Sequence, residues 1–361
     1  MKKLMLSAAV AALALSAAPA MAQDESGVKL NFGGAFNGYV NYTNEDGDFS
    51  TAAGAQEPRT FDILRETELL VGGETTLDNG LTVGANLLAD VDAGEDFALD
   101  ETYAYFSGTW GRVNFGDEDG AAYLLQVAAP SADENVDGIR PDINPFNGLA
   151  SINYANSVAD DADKITYLTP VFSGFQAGLT YTPTAVANGS LASRGSAGNS
   201  LDGGAELEDI YEVAVRYEGE MSGVGLALGA GYTAGSQETD TVANDDFKEW
   251  NVGADANLGA FGLGVVYTEN NNANTTEDKN ETMVVGADYT TGAYKLGASY
   301  LNNDENLGAD SETDRYAVGA QYQYGPGMSF RGTVSYYETD AVGTANDTDG
   351  TAVTVGTQIN F

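Results

Sequence analysis

The residues best suited to chemistry gather in one segment. Between Asp117 and Lys164 the chain carries Asp117, Glu118, Asp119, Asp133, Glu134, Asp137 and Asp142, followed by Asp160, Asp161 and Asp163. Carboxylates so placed suit acid–base catalysis, metal coordination or a fixed negative field. The chain has no histidine and no cysteine, which removes the usual general base, imidazole ligands and thiol chemistry. An enzyme is therefore not expected. A secreted Ca²⁺-binding β protein without channel activity is the alternative that the acidic loops suggest. No D-x-[DN]-x-[DN]-G loop ending in Glu supports it, and Asp46-Gly47-Asp48 and Asp117-Glu118-Asp119-Gly120 are weak signals on their own. The balance of 54 acids against 15 bases gives a net charge of -39. Such a chain repels nucleic acid and anionic head groups and favours cations as partners. No cofactor is expected beyond Ca²⁺ loosely held at acidic loops.

The elements that must position these acids are strands. Lys2, Lys3, an apolar run from Leu4 to Leu15 and the ending Ala20-Met21-Ala22 read as a signal peptide over 1–22, too short in its apolar part to cross a membrane as a helix. Residues 23–361 then form one domain. Alternating segments predict sixteen strands at 28–42, 60–77, 80–91, 99–109, 111–117, 163–171, 174–183, 209–218, 223–234, 247–258, 261–270, 280–290, 293–302, 313–324, 327–338 and 350–361. Seven short connections carry Gly and fit hairpin turns. They alternate with eight longer, acidic ones at about 43–59, 92–98, 118–162, 184–208, 235–246, 271–279, 303–312 and 339–349. A meander of this kind sends every tight turn to one end and every long loop to the other, as in outer-membrane barrels. Tyrosines near strand ends, including Tyr181, Tyr217, Tyr267, Tyr289 and Tyr300, suit the two membrane interfaces. The expected fold is all-β: a 16-stranded antiparallel transmembrane β-barrel, multi-pass in the cell outer membrane.

Strand parity separates two faces. Sets such as Phe32, Phe36 and Val40, or Tyr211, Val213, Val215 and Tyr217, form the lipid side. Lys29, Glu66, Glu68, Glu74, Lys164, Glu212, Arg216, Asp255, Asp288, Lys295, Arg315 and Arg331 fall on the other. A lipid-facing Arg or Lys near the midplane costs roughly 2–4 kcal/mol, so this segregation implies a wet interior. Sixteen strands enclose an aqueous lumen. The strand at 99–109 has ambiguous parity. The third long loop, with Tyr123, Leu124, Leu125 and Val127, wants an apolar surface, and folding it inward would make an eyelet whose charge decides which ions pass.

The chain resembles the Gram-negative general porins, especially the alphaproteobacterial kind. The resemblance rests on Val28-Lys29-Leu30-Asn31-Phe32, Gly72-Gly73-Glu74-Thr75, the run from Tyr105 to Asp117, Phe172-Ser173-Gly174-Phe175 and terminal Phe361. It implies a homotrimer beside outer-membrane lipid and lipopolysaccharide, passing ions and small hydrophilic solutes by passive diffusion. It implies a third loop whose acids, here Asp117, Glu118, Asp119, Asp133, Glu134, Asp137 and Asp142, face a basic wall across the constriction. Lys164 stands about where one wall base is expected, whereas Glu68 and Asp117 occupy what look like two further basic positions. Arg65, Arg216 and Arg331 are candidates to rebuild that wall. With Glu66, Glu68, Lys164, Arg216, Arg315 and Arg331 as pore wall, the charge count predicts a cation bias. By the same resemblance Phe361 is part of the assembly signal.

Overall fold

The computed structural model describes residues 22–23, 27–46, 59–91, 98–147, 149, 152–160, 162–185, 207–237, 245–273, 279–306, 310–341 and 347–361. The leader expected over 1–22 lies outside them apart from Ala22, as do Asp161, Gly47 and Asp48 and parts of the other long loops. Sixteen strands follow one another: β1 (Lys29–Asp46), β2 (Phe61–Thr76), β3 (Thr82–Asp90), β4 (Ala98–Gly108), β5 (Gly111–Asp117), β6 (Asp163–Leu168), β7 (Phe175–Thr184) and β8 (Leu207–Met221). The second half holds β9 (Val224–Gln237), β10 (Phe247–Leu258), β11 (Phe261–Asn270), β12 (Asn280–Thr291), β13 (Tyr294–Asn306), β14 (Asp310–Gly325), β15 (Met328–Ala341) and β16 (Thr348–Asn360). Ala22–Gln23 adds a two-residue pairing to Leu30 and Lys29. Two helical turns, α1 (Ala121–Leu124) and α2 (Glu134–Asp137), lie between β5 and β6. Among the described residues no helix is long and apolar enough to cross a membrane.

Each strand pairs antiparallel with its neighbour in sequence, and β16 returns to β1 from Asp349↔Asp46 to Asn360↔Ala35. Closure leaves no sheet edge, which hydrocarbon demands because an unpaired backbone group there has no water to bond. Phe361 completes the seam: its amide donates to the Gly34 carbonyl at 3.0 Å and its carbonyl accepts from the Gly34 amide at 2.9 Å. Its ring lies over Gly34, where a Cβ would come within 2.8 Å of Cζ. All seven tight connections hold a glycine at positive φ, namely Gly80, Gly111, Gly174, Gly223, Gly259, Gly292 and Gly327. That is the backbone region a side chain disfavours and a tight hairpin needs.

The predicted faces hold. Phe32, Val40, Tyr211, Val213, Val215, Phe261, Leu263, Tyr316 and Val318 are exposed on the outside. Aromatic cross-strand pairs ring both ends: Phe175–Tyr217, Phe261–Tyr289 and Tyr294–Tyr322 near the short turns, Tyr181–Tyr211, Trp250–Tyr267 and Tyr300–Tyr316 near the long loops, with centroids 4.6–5.1 Å apart. The ambiguity of β4 is a bulge. Leu87 pairs with Thr102 and Ala89 with Leu99, so two residues of β4, Asp100 and Glu101, stand against the single Leu88 of β3. Leu99 therefore points outward while Glu101, buried, and Tyr105 point inward. Arg65 pairs with Gly38 on the outward face, so it does not rebuild a basic lumen wall.

Because the Phe361 ring and backbone both engage β1, Phe361→Ser is expected to slow barrel closure while leaving unit conductance nearly unchanged. A time course of heat-modifiable gel mobility checks this; equal folding half-times for both proteins would contradict it.

Candidate functional site

Loop 3, residues 118–162, lies inside the barrel against the wall. Its outgoing limb starts at β7, where the Ala121 amide donates to Thr180 Oγ1 at 2.8 Å. Arg216 Nη1 of β8 donates to the Gln126 carbonyl at 2.7 Å, and Gln321 Nε2 of β14 to the Ala132 carbonyl at 3.2 Å. At β1, Tyr39 Oη donates to Asp133 Oδ2 at 2.8 Å and Asn41 Nδ2 to the Pro145 carbonyl at 2.8 Å. The chain then returns past β11, where Thr268 Oγ1 donates to the Tyr154 carbonyl at 3.1 Å. Tyr123, Ala129, Ile139, Tyr154 and Ala155 form an apolar seam with Val266, Val284 and Leu301 of the wall. Burial of such a side chain contributes roughly 1.5–3 kcal/mol.

Glycine makes this close approach feasible. Gly178, Gly229, Gly253, Gly264, Gly286 and Gly297 face inward on β7 and on β9 to β13. A Cβ on Gly253 would come within 2.7 Å of the Val127 carbonyl oxygen, and one on Gly264 within 2.6 Å of Pro130 Cδ. At Gly286 it would fall on the Pro130 carbonyl. The loop backbone thus rests in a furrow that side chains would fill.

The acids and bases singled out by sequence are largely consumed by this docking. Asp119, Asp133 and Asp137 are fully buried, and Asp117 and Glu118 nearly so. Lys164, Arg216, Arg315 and Arg331 are buried as well, between 4% and 8% exposed. Arg331 Nη1 meets Asp133 Oδ1 at 2.7 Å and its Nη2 meets Glu134 Oε1 at 3.1 Å. Asp133 also caps α2 by accepting from the Asn135 amide at 3.2 Å, while Asp137 accepts from the Ala132 and Asp133 amides and from Ser299 Oγ. Arg315 Nη2 donates to the Asp137 carbonyl at 3.4 Å. Lys164 Nζ donates to the Glu118 and Asp160 carbonyls. Glu134 aside, these groups fasten the loop and do not line an open passage.

Charge that faces the lumen is different. Glu134 and Asp142 are the exposed acids of the predicted loop set, and Glu66 and Glu68 on β2 are partly exposed inward. Sequence reasoning missed Asp90 of β3, paired with Glu68 of β2, and Asp100 at the β4 bulge. Inward parity pointed to Asp90; the bulge hid Asp100. It also missed Arg140, whose Nη2 bridges Asp119 at 2.8 Å and Asp160 at 3.0 Å and whose guanidinium covers the Tyr123 ring at 4.3 Å. Asp142 reaches the lumen but is hemmed in by loop and wall, and this partial loss of water raises its carboxyl to about 6; Arg140 works against this and Asp100 adds to it. Burial likewise pushes Glu118 up to about 7, opposed by Arg112 and by the amide of Asn114. Two lumen bases are matched: Lys29 lies 3.7 Å from Glu74, and Lys295 lies 3.8 Å from Glu134 and 3.9 Å from Asp288. Arg112 on β5 instead lies over the Tyr105 ring at 4.1 Å and donates to Asn114 Oδ1 at 2.5 Å.

A closed sixteen-stranded barrel with a wet, charged interior narrowed by an inward loop defines an outer-membrane diffusion channel. A family model described as Gram-negative porin matches residues 9–342, and the chain belongs to that family. Among solved structures, an anion-selective porin from Comamonas acidovorans is similar at 18% identity and TM-score 0.63, covering 92% of this chain and 100% of its own. A loop-deletion mutant of OmpT, an outer membrane protein of Vibrio cholerae, is similar at 15% identity and TM-score 0.61, covering 93% and 100%. A mutant of Rh. blastica porin is similar at 20% identity and TM-score 0.57, covering 92% and 100%. At such identities the likeness is one of fold. A search of curated proteins finds no match.

Removing one partner of a buried ion pair strands the other, at a cost of about 3 kcal/mol or more. Arg331→Ala is therefore expected to loosen the loop tip, seen as added open-channel noise and a lower unfolding temperature. Wild-type noise and melting in this variant would contradict the anchoring role.

Proposed function

We propose that this porin passes ions and small hydrophilic solutes with a preference for cations. One observation carries the reading: loop 3 covers Lys164, Arg216, Arg315 and Arg331, while Glu66, Glu68, Glu134 and Asp142 stay accessible. Buried, paired bases contribute little field to the passage, whereas accessible carboxylates in a low-dielectric channel attract counter-ions. The Comamonas porin's anion selectivity belongs to that protein, whose likeness to this chain is one of fold. Our reading also keeps a homotrimer, with lipopolysaccharide as the neighbour of the outer rim. Tyr181, Tyr267 and Tyr300 there donate to Asp209, Glu281 and Asp314 at 2.5–2.7 Å, polar pairs suited to head-group depth.

In a planar bilayer under a KCl gradient, the reversal potential should report cation preference, and Glu66→Gln with Glu68→Gln should reduce it. An anion-preferring wild type would overturn the proposal. A carboxylate is charged above its pKa, so the Asp142 contribution should fade as pH drops through about 6. Selectivity recorded from pH 7.5 to 5 should decline, and Asp142→Asn should flatten that decline; an identical profile in the variant would remove Asp142 from the account.

A further inference from the structure

Beside α1 the wall carries two carboxylates that form no ion pair with a described basic side chain. Glu212 on β8 and Glu249 on β10 are each 4% exposed. They share a rung, Glu212 opposite Thr233 of β9 and Thr233 opposite Glu249. Two strand spacings put their Cα atoms roughly 10 Å apart with only a short side chain between them. Lys164, the cation whose field reaches Glu212, already donates to the Glu118 and Asp160 carbonyls. Glu249 feels Glu212 as a like charge and accepts from the Asn270 side chain.

Both limbs of loop 3 meet over this rung. The Ala122 amide donates to Glu212 Oε2 at 2.9 Å, and Thr233 Oγ1 donates to Asn156 Oδ1 at 2.6 Å. On the next rung Gly231 faces Asn251. A Cβ on Gly231 would stand 2.7 Å from Asn251 Nδ2 and 3.3 Å from the Ala122 carbonyl oxygen, so amide and carbonyl overhang one cradle that the missing side chain leaves open. Asn251 is 1% exposed, and neither its Oδ1 nor its Nδ2 has a partner; Asn156 Nδ2, equally buried, has none either. A buried amide without partners is a rare feature that asks for a ligand.

We propose that this box binds Ca²⁺ through the Glu212 and Glu249 carboxylates, the Asn251 amide oxygen and the Ala122 carbonyl. The available atoms are oxygens, the donor set a hard cation takes, and the ion's two charges balance the two carboxylates. Amide oxygen and nitrogen exchange by a flip of the side chain, so Asn251 can present its oxygen to the ion. The ion ties the outgoing and returning limbs of loop 3 to β8, β9 and β10. It fixes the eyelet's shape and is separate from the lumen acids that set selectivity.

The test uses the full-length protein extracted in detergent at pH 7.5, treated with EGTA, reloaded with CaCl₂ and dialysed. Calcium content by atomic emission should be one ion per chain higher in wild type than in Glu249→Gln or Gly231→Ala, while Asp314→Asn on the outer rim should match wild type. Ca²⁺ should raise the melting temperature of wild type and not of those two variants. Equal calcium content and equal Ca²⁺-dependent melting in all four proteins would overturn the proposal. Should Glu249→Gln fail to fold, Gly231→Ala alone decides, because it fills the cradle and keeps both carboxylates.

Discussion

The contact between the backbone of loop 3 and the glycine furrow of the wall governs which charges the lumen presents. Gly253, Gly264 and Gly286 let the segment around Val127 to Pro130 lie directly on β10, β11 and β12. Once the loop is so close, the wall groups behind it lose water, and several find partners in the loop. Arg331 finds Asp133 and Glu134, Ser299 finds Asp137, and Arg216 finds the Gln126 carbonyl. Charge sorting in this barrel is thus a packing outcome: groups on the covered side are held out of the passage by the loop, and those on the uncovered side keep their field.

The closed ring supplies the rigid frame for that arrangement. Sixteen strands with Phe361 bonded to Gly34 leave no edge, so the inward residues keep fixed azimuths. Inward and outward alternation then does two jobs with one pattern. It clothes the outside for lipid and supplies the inside with the polar groups that grip the loop or line the passage. The bulge at β4 shows how local the device is, since one extra residue moves Glu101 and Tyr105 to the lumen side while Leu99 meets lipid.

Much of the fold was legible in the sequence because each cue is local. Gly at the tight turns, a period of two along strands and aromatics near strand ends act within a few residues. The site was legible only in outline. Asp133, Asp137 and Asp142 look alike as sequence, yet the first two are buried under contacts to Tyr39, Ser299 and Arg331 while Asp142 is exposed. Those partners lie 94, 162 and 198 residues away along the chain. No local pattern carries such information. The same applies to Arg315 and Arg331, whose inward parity was readable but whose covering was not. Arg65 illustrates the converse, since its parity alone removes it from the lumen.

The chain has no cysteine, so single introduced thiols report lumen access directly. Glu68→Cys should react promptly with a charged, membrane-impermeant methanethiosulfonate and step the conductance, whereas Ser299→Cys, behind the loop at Asp137, should stay unlabelled in the folded protein. Comparable labelling at the two positions would mean that loop 3 does not cover the wall, and the sorting of charge described above would fail.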